Sequence, residues 1–361
     1  MRVGFAIPAF LPARGYGGPV ETVLGLARAT GGLGVTHEVY TSTLSRRGER
    51  SLPAGPTEEA GLPVLRMPTP LAYGWAPLVL WQRPAPEPDL VHVLGLWNGL
   101  SYSAAHYAIT RRIPWLWEPC GMLVPRGRRR ALKLLLTPYH LALARLCAGI
   151  VWKSPQERAE APALLRGVRS FWRPNAVEQP PALPTRAEAR RALGLPLDGP
   201  LWGYLGRIAH RKGIPELLSV WQRAHGPGHL VLAGPPEDAS LAATTRAAAV
   251  LLLGAQDRDR RWLFLRALDA LVLLPSYGEN FGNVVAEAVA AGTPAVLSPA
   301  VGAGHWLAGA GAVVVAPPFG ELERMMRAGA PPPAPAGLPA ALDPAAIGRA
   351  QVAIYREVLG R

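Results

Sequence analysis

The chain has 361 residues, enough for about two domains that each bury a core, and with 49% apolar and only 17% charged residues it is not a disordered chain. Two cysteines, Cys120 and Cys147, give neither a disulfide framework nor metal-ligand spacing, so a reducing cytoplasm is the expected setting. The net charge of +13 rests almost wholly on arginine, because Lys133, Lys153 and Lys212 are the only lysines, and it suits anionic partners even though an Ala-, Pro-, Gly- and Arg-rich composition accounts for part of it.

The opening "MRVGFAIPAFLPARG" places Arg2 before an apolar run, as a signal peptide would. Pro8 interrupts that run, and the glycine turn after it suits a first β-strand better. Short apolar runs bounded by Gly or Pro then recur, the pattern of buried parallel strands. The first series is "RVGFAIPA" (2–9), "THEVYTS" (36–42), "DLVHVLG" (89–95), "PWLWEP" (114–119) and "AGIVWKS" (148–154). Helical signals lie between them, such as Pro19 at the first turn of a helix over 20–30. The stretch 131–152 is the most apolar, but Lys133, Pro138, His140 and Arg145 break it below the ~18 apolar residues of a spanning helix.

A Pro-rich, polar connection over 172–200 follows, with "RPNAVEQPPALPT" at its start. The second series is "LWGYLG" (201–206), "GHLVLAG" (228–234), "ALVLLPS" (270–276), "PAVLS" (294–298) and "AVVVAP" (312–317). A second Pro-rich stretch, 330–344, precedes a last amphipathic helix, "AAIGRAQVAIYREVLG". Strand–helix alternation of this kind implies doubly wound α/β sheets. The expected domains are 1–172 and 173–340, with a helix over 341–361 packing back on the first.

Three places carry chemistry. In "RGYGGPVETV", Gly15, Gly17 and Gly18 stand between a strand and a helix, where backbone amides meet a ligand or where the chain merely turns. In "LGRIAHRKGIPELL", Arg207 lies just past a strand end, Lys212 five residues on, and Gly213 and Pro215 open a helix. Two cations beside a helix start make a seat for a diphosphate. In "PSYGENFGNVVAEAVAAGTPAV", Glu279 is expected in a loop and Glu287 about a turn into a helix that begins between Phe281 and Asn283. Carboxylates among valines and alanines require a partner, from elsewhere in the chain or from a ligand. Gly282 permits close approach to the backbone, and the amides of residues 281–283 suit anionic oxygens.

These elements, with "VHVLGLWN" and "RPNAVE" in the same order, closely resemble the retaining family-4 glycosyltransferases over roughly residues 3–320. The resemblance implies the GT-B architecture: two Rossmann-like doubly wound domains facing a cleft, the first binding an acceptor and the second a nucleotide sugar. It implies that Arg207 and Lys212 neutralise the diphosphate leaving group, that Glu279 binds the donor sugar and that Glu287 binds the ribose. Gly17, Gly18, Asn280, Phe281, Gly282 and Asn283 complete the expected donor site, with no cofactor and no metal ligand among them. The sugar and ribose hydroxyls would then satisfy both carboxylates.

His92, Trp97, Glu118 and Gly121 are the matching acceptor-side residues, with two alternatives open. Glu118 either meets acceptor hydroxyls or pairs with an arginine, and Trp97 either stacks on a sugar or packs in a core. His305 and Trp306, after the glycine turn "VGAG", are expected to border the donor sugar. The expected acceptor is a glycan or a lipid-linked precursor for cell-surface polysaccharide or glycolipid, and no nucleic acid is expected. The basic, apolar-striped segment 125–146 either docks on the anionic inner face of the membrane or is a solvated face over a packed stripe. The rival readings are a nucleotide-sugar epimerase on the same architecture and a non-catalytic membrane-associated homologue. A nicotinamide-dependent oxidoreductase is disfavoured, because G-x-G-x-x-G and its distal acidic residue are lacking.

Overall fold

The computed structural model describes residues 1–124, 130–237, 239–247 and 250–361. The chain divides into two compact units, Met1–Ala176 with Pro344–Arg361, and Val177–Asp343. These limits fall three or four residues past the expected 172 and 340, because the first unit keeps the start of "RPNAVE" and the second keeps the whole Pro-rich spacer.

The first unit contains strands β1 (Arg2–Ala6), β2 (Thr36–Ser42), β3 (Gly55–Glu59), β4 (Leu62–Met67), β5 (Leu71–Tyr73), β6 (Ala76–Leu78), β7 (Leu90–Leu94), β8 (Trp115–Glu118), β9 (Gly149–Trp152) and β10 (Ser170–Trp172). Eight of them form one sheet in the order β10-β9-β8-β7-β1-β2-β4-β3, and β5 pairs with β6 in a separate hairpin. Every pairing in the large sheet is parallel except β3 with β4. All five residues of β7 are buried, as a central strand covered on both faces requires. The helix Gly18–Gly31 buries Val20, Val23, Leu24 and Leu26, with Pro19 in its first turn. The terminal helix Pro344–Leu359 packs against it, and Gly348 permits the approach, since a Cβ there would lie 2.0 Å from the Ala29 carbonyl oxygen.

In the second unit β11 (Leu201–Leu205), β12 (His229–Ala233), β13 (Leu251–Gly254), β14 (Ala270–Leu273), β15 (Ala295–Leu297) and β16 (Ala312–Val314) form one parallel sheet in the order β13-β12-β11-β14-β15-β16. The strand order reverses between β11 and β14, and a crevice at the carboxyl ends of strands at such a reversal is where open α/β sheets bind ligands. A single apolar core runs through this unit from Leu193 and Trp202 to Leu342. Six of the described strands escape the apolar-run reading: β3, β4, β5, β6, β10 and β13. All but β4 are edge or hairpin strands with partly exposed patterns, such as the alternating Gly55–Glu59. Pro63 and Arg66 break the apolar run of β4, "LPVLRM", although it pairs on both sides.

Candidate functional site

At the reversal in the second sheet, the loop after β11 carries Gly206, Arg207 and Lys212, and the loop after β14 carries Glu279. Gly206 has φ +144, and beside it Gly234 has φ +143 and sits so close that a Cβ would come 1.8 Å from the Gly206 carbonyl oxygen. That contact fixes where Arg207 leaves the sheet. The Tyr204 hydroxyl donates to the Arg207 carbonyl at 2.6 Å. Burial first, and then the Glu279 charge, push the Tyr204 phenol far above its usual range, so it stays a neutral donor. A single helical turn, His210–Lys212, ends on Gly213 at φ +76, where a Cβ would lie 1.9 Å from the Leu274 carbonyl oxygen. Lys212 is thereby aimed back over the carboxyl end of β14, and its Nζ is ion-paired to Glu279 Oε2. Neither side chain is fully covered, with 19% and 16% exposed.

The Glu279 loop is itself fixed. Gly302 donates its amide to the Glu279 carbonyl at 3.1 Å, and Ala303 donates to the Phe281 carbonyl at 2.7 Å. Gly282, at φ +85, turns the chain into the helix Asn283–Ala290, which starts where the sequence places it. His305 and Trp306 stand on the short helix Ala303–Trp306 that these two hydrogen bonds bring beside the loop. Arg207, Lys212, Glu279, Asn280, Phe281, Gly282 and Asn283 thus gather at one edge of one sheet.

Glu287 lies in that helix, 7% exposed among the buried Val285, Ala286, Ala288 and Val289. Its partner comes from this chain: Arg261 Nη1 stands 3.3 Å from Glu287 Oε1. Both carboxylates of the E-x7-E element therefore hold a cation of the protein, the in-chain partner that the sequence reading left open beside ligand hydroxyls. Arg261 escaped that reading because "RDRRWLF" holds three arginines around an aspartate with nothing to mark one of them as inward.

In the first unit Gly17 and Gly18 are exposed on the turn that starts the first helix, Gly17 at φ +88. They lie at the carboxyl edge of β1, while the remaining donor residues belong to the second unit. The loops after β7 and β8 are stitched together there. Gly95 donates its amide to the Glu118 carbonyl at 2.8 Å, and Trp97 Nε1 donates to the Met122 carbonyl at 2.6 Å. Trp97 and Cys120 both hold positive φ, 61° and 53°, conformations that non-glycine residues keep only when their surroundings enforce them. The Trp97 ring is half-buried against His140, 4.2 Å between centroids, with Lys133 Nζ 5.6 Å from its ring centroid. The Gly121 amide donates to Glu157 Oε1 at 2.6 Å.

His92 and Glu118, expected on the acceptor side, are both 0% exposed. Glu118 is the centre of a closed ionic cluster. It receives Arg173 Nη2 at one oxygen and Lys153 Nζ at 2.7 Å on the other, with His92 Nε2 at 3.4 Å. Burial alone would raise the Glu118 carboxyl, but Lys153 and Arg173 outweigh it and hold the group well below the usual carboxylate range. His92 is lowered by the same burial, and its Nδ1 meets the Tyr355 hydroxyl at 3.1 Å. The arginine alternative for Glu118 is the one observed. Arg173 is the arginine of "RPNAVE", a position whose role no local pattern reveals.

Among the described residues, no group of three or more His, Cys, Asp or Glu side chains is arranged to hold a metal ion. Likewise, among them no helix is long and apolar enough to cross a membrane. Of the segment 125–146, residues 125–129 lie outside the described residues, and the rest forms the helix Arg130–Leu146.

Two family profiles match the chain: "Glycosyl transferase 4-like domain" over residues 17–170 and "Glycosyl transferases group 1" over 185–320. A D-inositol 3-phosphate glycosyltransferase of Mycobacterium leprae (strain Br4923) is 38% identical over 127 residues, which is 32% of this chain and 29% of that protein. The match thus spans under a third of that relative's length. Sucrose-phosphate synthase from Thermosynechococcus elongatus superposes with a TM-score of 0.67 at 20% identity, covering 99% of this chain and 96% of that one. The Anabaena protein Alr3699/HepE, in complex with UDP and glucose, does so with a TM-score of 0.67 at 15% identity, covering 99% of each chain.

Proposed function

We propose that this chain, which belongs to the family-4 glycosyltransferases of the GT-B architecture, moves a sugar from a nucleoside diphosphate to a hydroxyl of a glycan or lipid-linked acceptor, with retention at the anomeric carbon. The observation that carries the reading is the Lys212–Glu279 pair beside Arg207 at the strand reversal of the second unit. Cleaving the sugar–phosphate bond builds negative charge on the diphosphate and positive character on the sugar. Preorganised cations at the first of these, held by the Gly206 and Gly213 turns, lower the barrier without reorganising. With Arg207 and Lys212 as countercharge, the reading needs no metal at the diphosphate. Glu279 takes hydroxyls of the transferred sugar, Glu287 the ribose, and the turn Asn280–Asn283 the remaining donor contacts. Retention follows if the acceptor attacks on the face the diphosphate leaves, with a diphosphate oxygen taking its proton.

On the acceptor side the reading assigns Trp97 and Gly121, together with Gly17 and Gly18 toward the donor. Acceptors held at an anionic membrane surface suit the helix Arg130–Leu146, which carries Lys133 and whose Leu132, Leu134 and Leu135 are exposed, Leu135 to 76%. Co-sedimentation with anionic vesicles at low salt tests that part, and no binding removes it. A donor-only incubation separates transfer from epimerisation, because only an epimerase isomerises the sugar without an acceptor.

The deciding experiment is a thermal-shift panel of UDP, GDP, ADP and NAD on the wild type and on Glu287→Ala. UDP comes first because the Anabaena structure holds it. A ligand at a hundred times its Kd stabilises its unit by ~2.7 kcal/mol, a shift of several degrees. Stabilisation by one nucleoside diphosphate that Glu287→Ala abolishes supports the donor site. Stabilisation by NAD alone overturns it, and no response brings the non-catalytic reading forward.

A further inference from the structure

We infer that Arg261 is a positioning residue for the nucleotide, orienting the Glu287 carboxylate toward the ribose hydroxyls. The inference rests on the donor-site reading above and adds to it the group that makes Glu287 competent. A carboxylate on a helix among valines and alanines has several rotamers, and it binds two vicinal hydroxyls well only if one is selected beforehand. Arg261 makes that selection. Its Nη1 stands 3.3 Å from Glu287 Oε1, and its Nη2 stands 3.3 Å from Glu178 Oε2. The guanidinium is thus shared between two carboxylates and cannot follow one without leaving the other. Arg258 is ion-paired to Glu178 as well, which fixes the far end of the chain of charges. Arg261 itself is carried by the helix Arg258–Ala267, capped by Asp257, whose side chain accepts the Arg260 amide at 2.8 Å.

The same two helices are tied at a second point that does not include the Glu287 carboxylate. Arg266 Nη1 donates to the Ala291 carbonyl at 3.3 Å, and its Nε donates to the Pro184 carbonyl at 3.0 Å. Arg266 is therefore a matched control: its loss loosens the helix pair without freeing Glu287.

The test measures Kd by titration for UDP, GDP and ADP, and for the 2′-deoxy form of whichever binds. It uses the wild type, Glu287→Gln, Arg261→Gln, Arg261→Lys and Arg266→Gln. A hydrogen bond to a charged group gives about tenfold or more in favour of the ribose form. The wild type should show that preference and Glu287→Gln should lose most of it. Arg261→Gln should lose it to a similar degree, with Arg261→Lys intermediate, because lysine keeps the charge but not the fork. Arg266→Gln should melt lower yet keep the wild-type preference. An Arg261→Gln protein with the wild-type preference overturns the inference and leaves the ribose reading standing. A wild type without preference, or one that binds none of the three nucleotides, overturns the ribose reading and the inference with it.

Discussion

Lys212 and Glu279 come from loops 67 positions apart and are ion-paired over the carboxyl ends of the two strands that flank the reversal in the second sheet. The pair explains why a lysine stands at position 212 in a chain that mostly uses arginine. A compact ammonium fits between a carboxylate and an incoming phosphate oxygen, where a planar fork would demand two acceptors in one plane. Lys212→Ala should lower kcat by ~10²–10³, the usual cost of removing one preorganised countercharge. Steady-state kinetics with a nucleotide sugar checks this, and unimpaired turnover removes Lys212 from the leaving-group site.

Gly213 tests the same geometry through the backbone. At φ +76, and with the Leu274 carbonyl oxygen 1.9 Å from where a Cβ would lie, alanine is both strained and in collision. Gly213→Ala should cost about 2–6 kcal/mol, the sum of a left-handed residue's strain and an overpacked contact. It should also lower kcat, because the turn that aims Lys212 must shift. A variant as stable and active as the wild type would show that the turn relaxes freely.

Ten strands and the helix starts at Pro19, Pro215 and Asn283 were legible because buried parallel strands are continuous apolar runs and because proline and glycine mark the turns. The donor edge was legible for the same reason: Arg207, Lys212, Glu279 and Glu287 each sit at a fixed distance from a recognisable strand. Long-range charge pairing was not. Arg261 and Arg173 differ from the other arginines only by what folds against them, and nothing near Glu118 in the sequence shows that Lys153 and Arg173 will arrive from just past β9 and β10. Local pattern gives the edge on which a side chain lies, and tertiary pairing decides whether it faces a ligand or a partner.

The buried cluster around Glu118 predicts a stability effect. Removing one member of a buried charge cluster leaves the others uncompensated, at about 3–5 kcal/mol. Arg173→Ala and Glu118→Ala should each lose that much in urea denaturation. The double variant should lose less than the sum, because the two act as one unit. Additive losses would mean that the pair is not coupled.

Acid should weaken the first unit before it reaches carboxylate pKa values. Burial lowers His37 and His140 from 6.5 to about 4, and it lowers His92 too. His37 Nε2 meets the Thr30 hydroxyl at 2.6 Å, and His140 Nε2 meets the Tyr102 hydroxyl at 2.5 Å, so neither has a carboxylate to welcome its proton. A base with a depressed folded pKa contributes stability above its unfolded pKa, and that stability drains as pH falls from 6.5 toward 4. Glu157 acts in the opposite sense, since burial pushes it up to about 7 and its stability contribution is lost as pH rises over 4.5–7. Three histidines against one carboxyl leave a net loss on acidification. Urea denaturation should show the unit weaker at pH 5 than at pH 7.5 by about 1–2 kcal/mol for each unopposed histidine. His140→Gln should flatten that dependence, while a slope that stays at the wild-type value would mean His140 is protonated without cost in the folded unit.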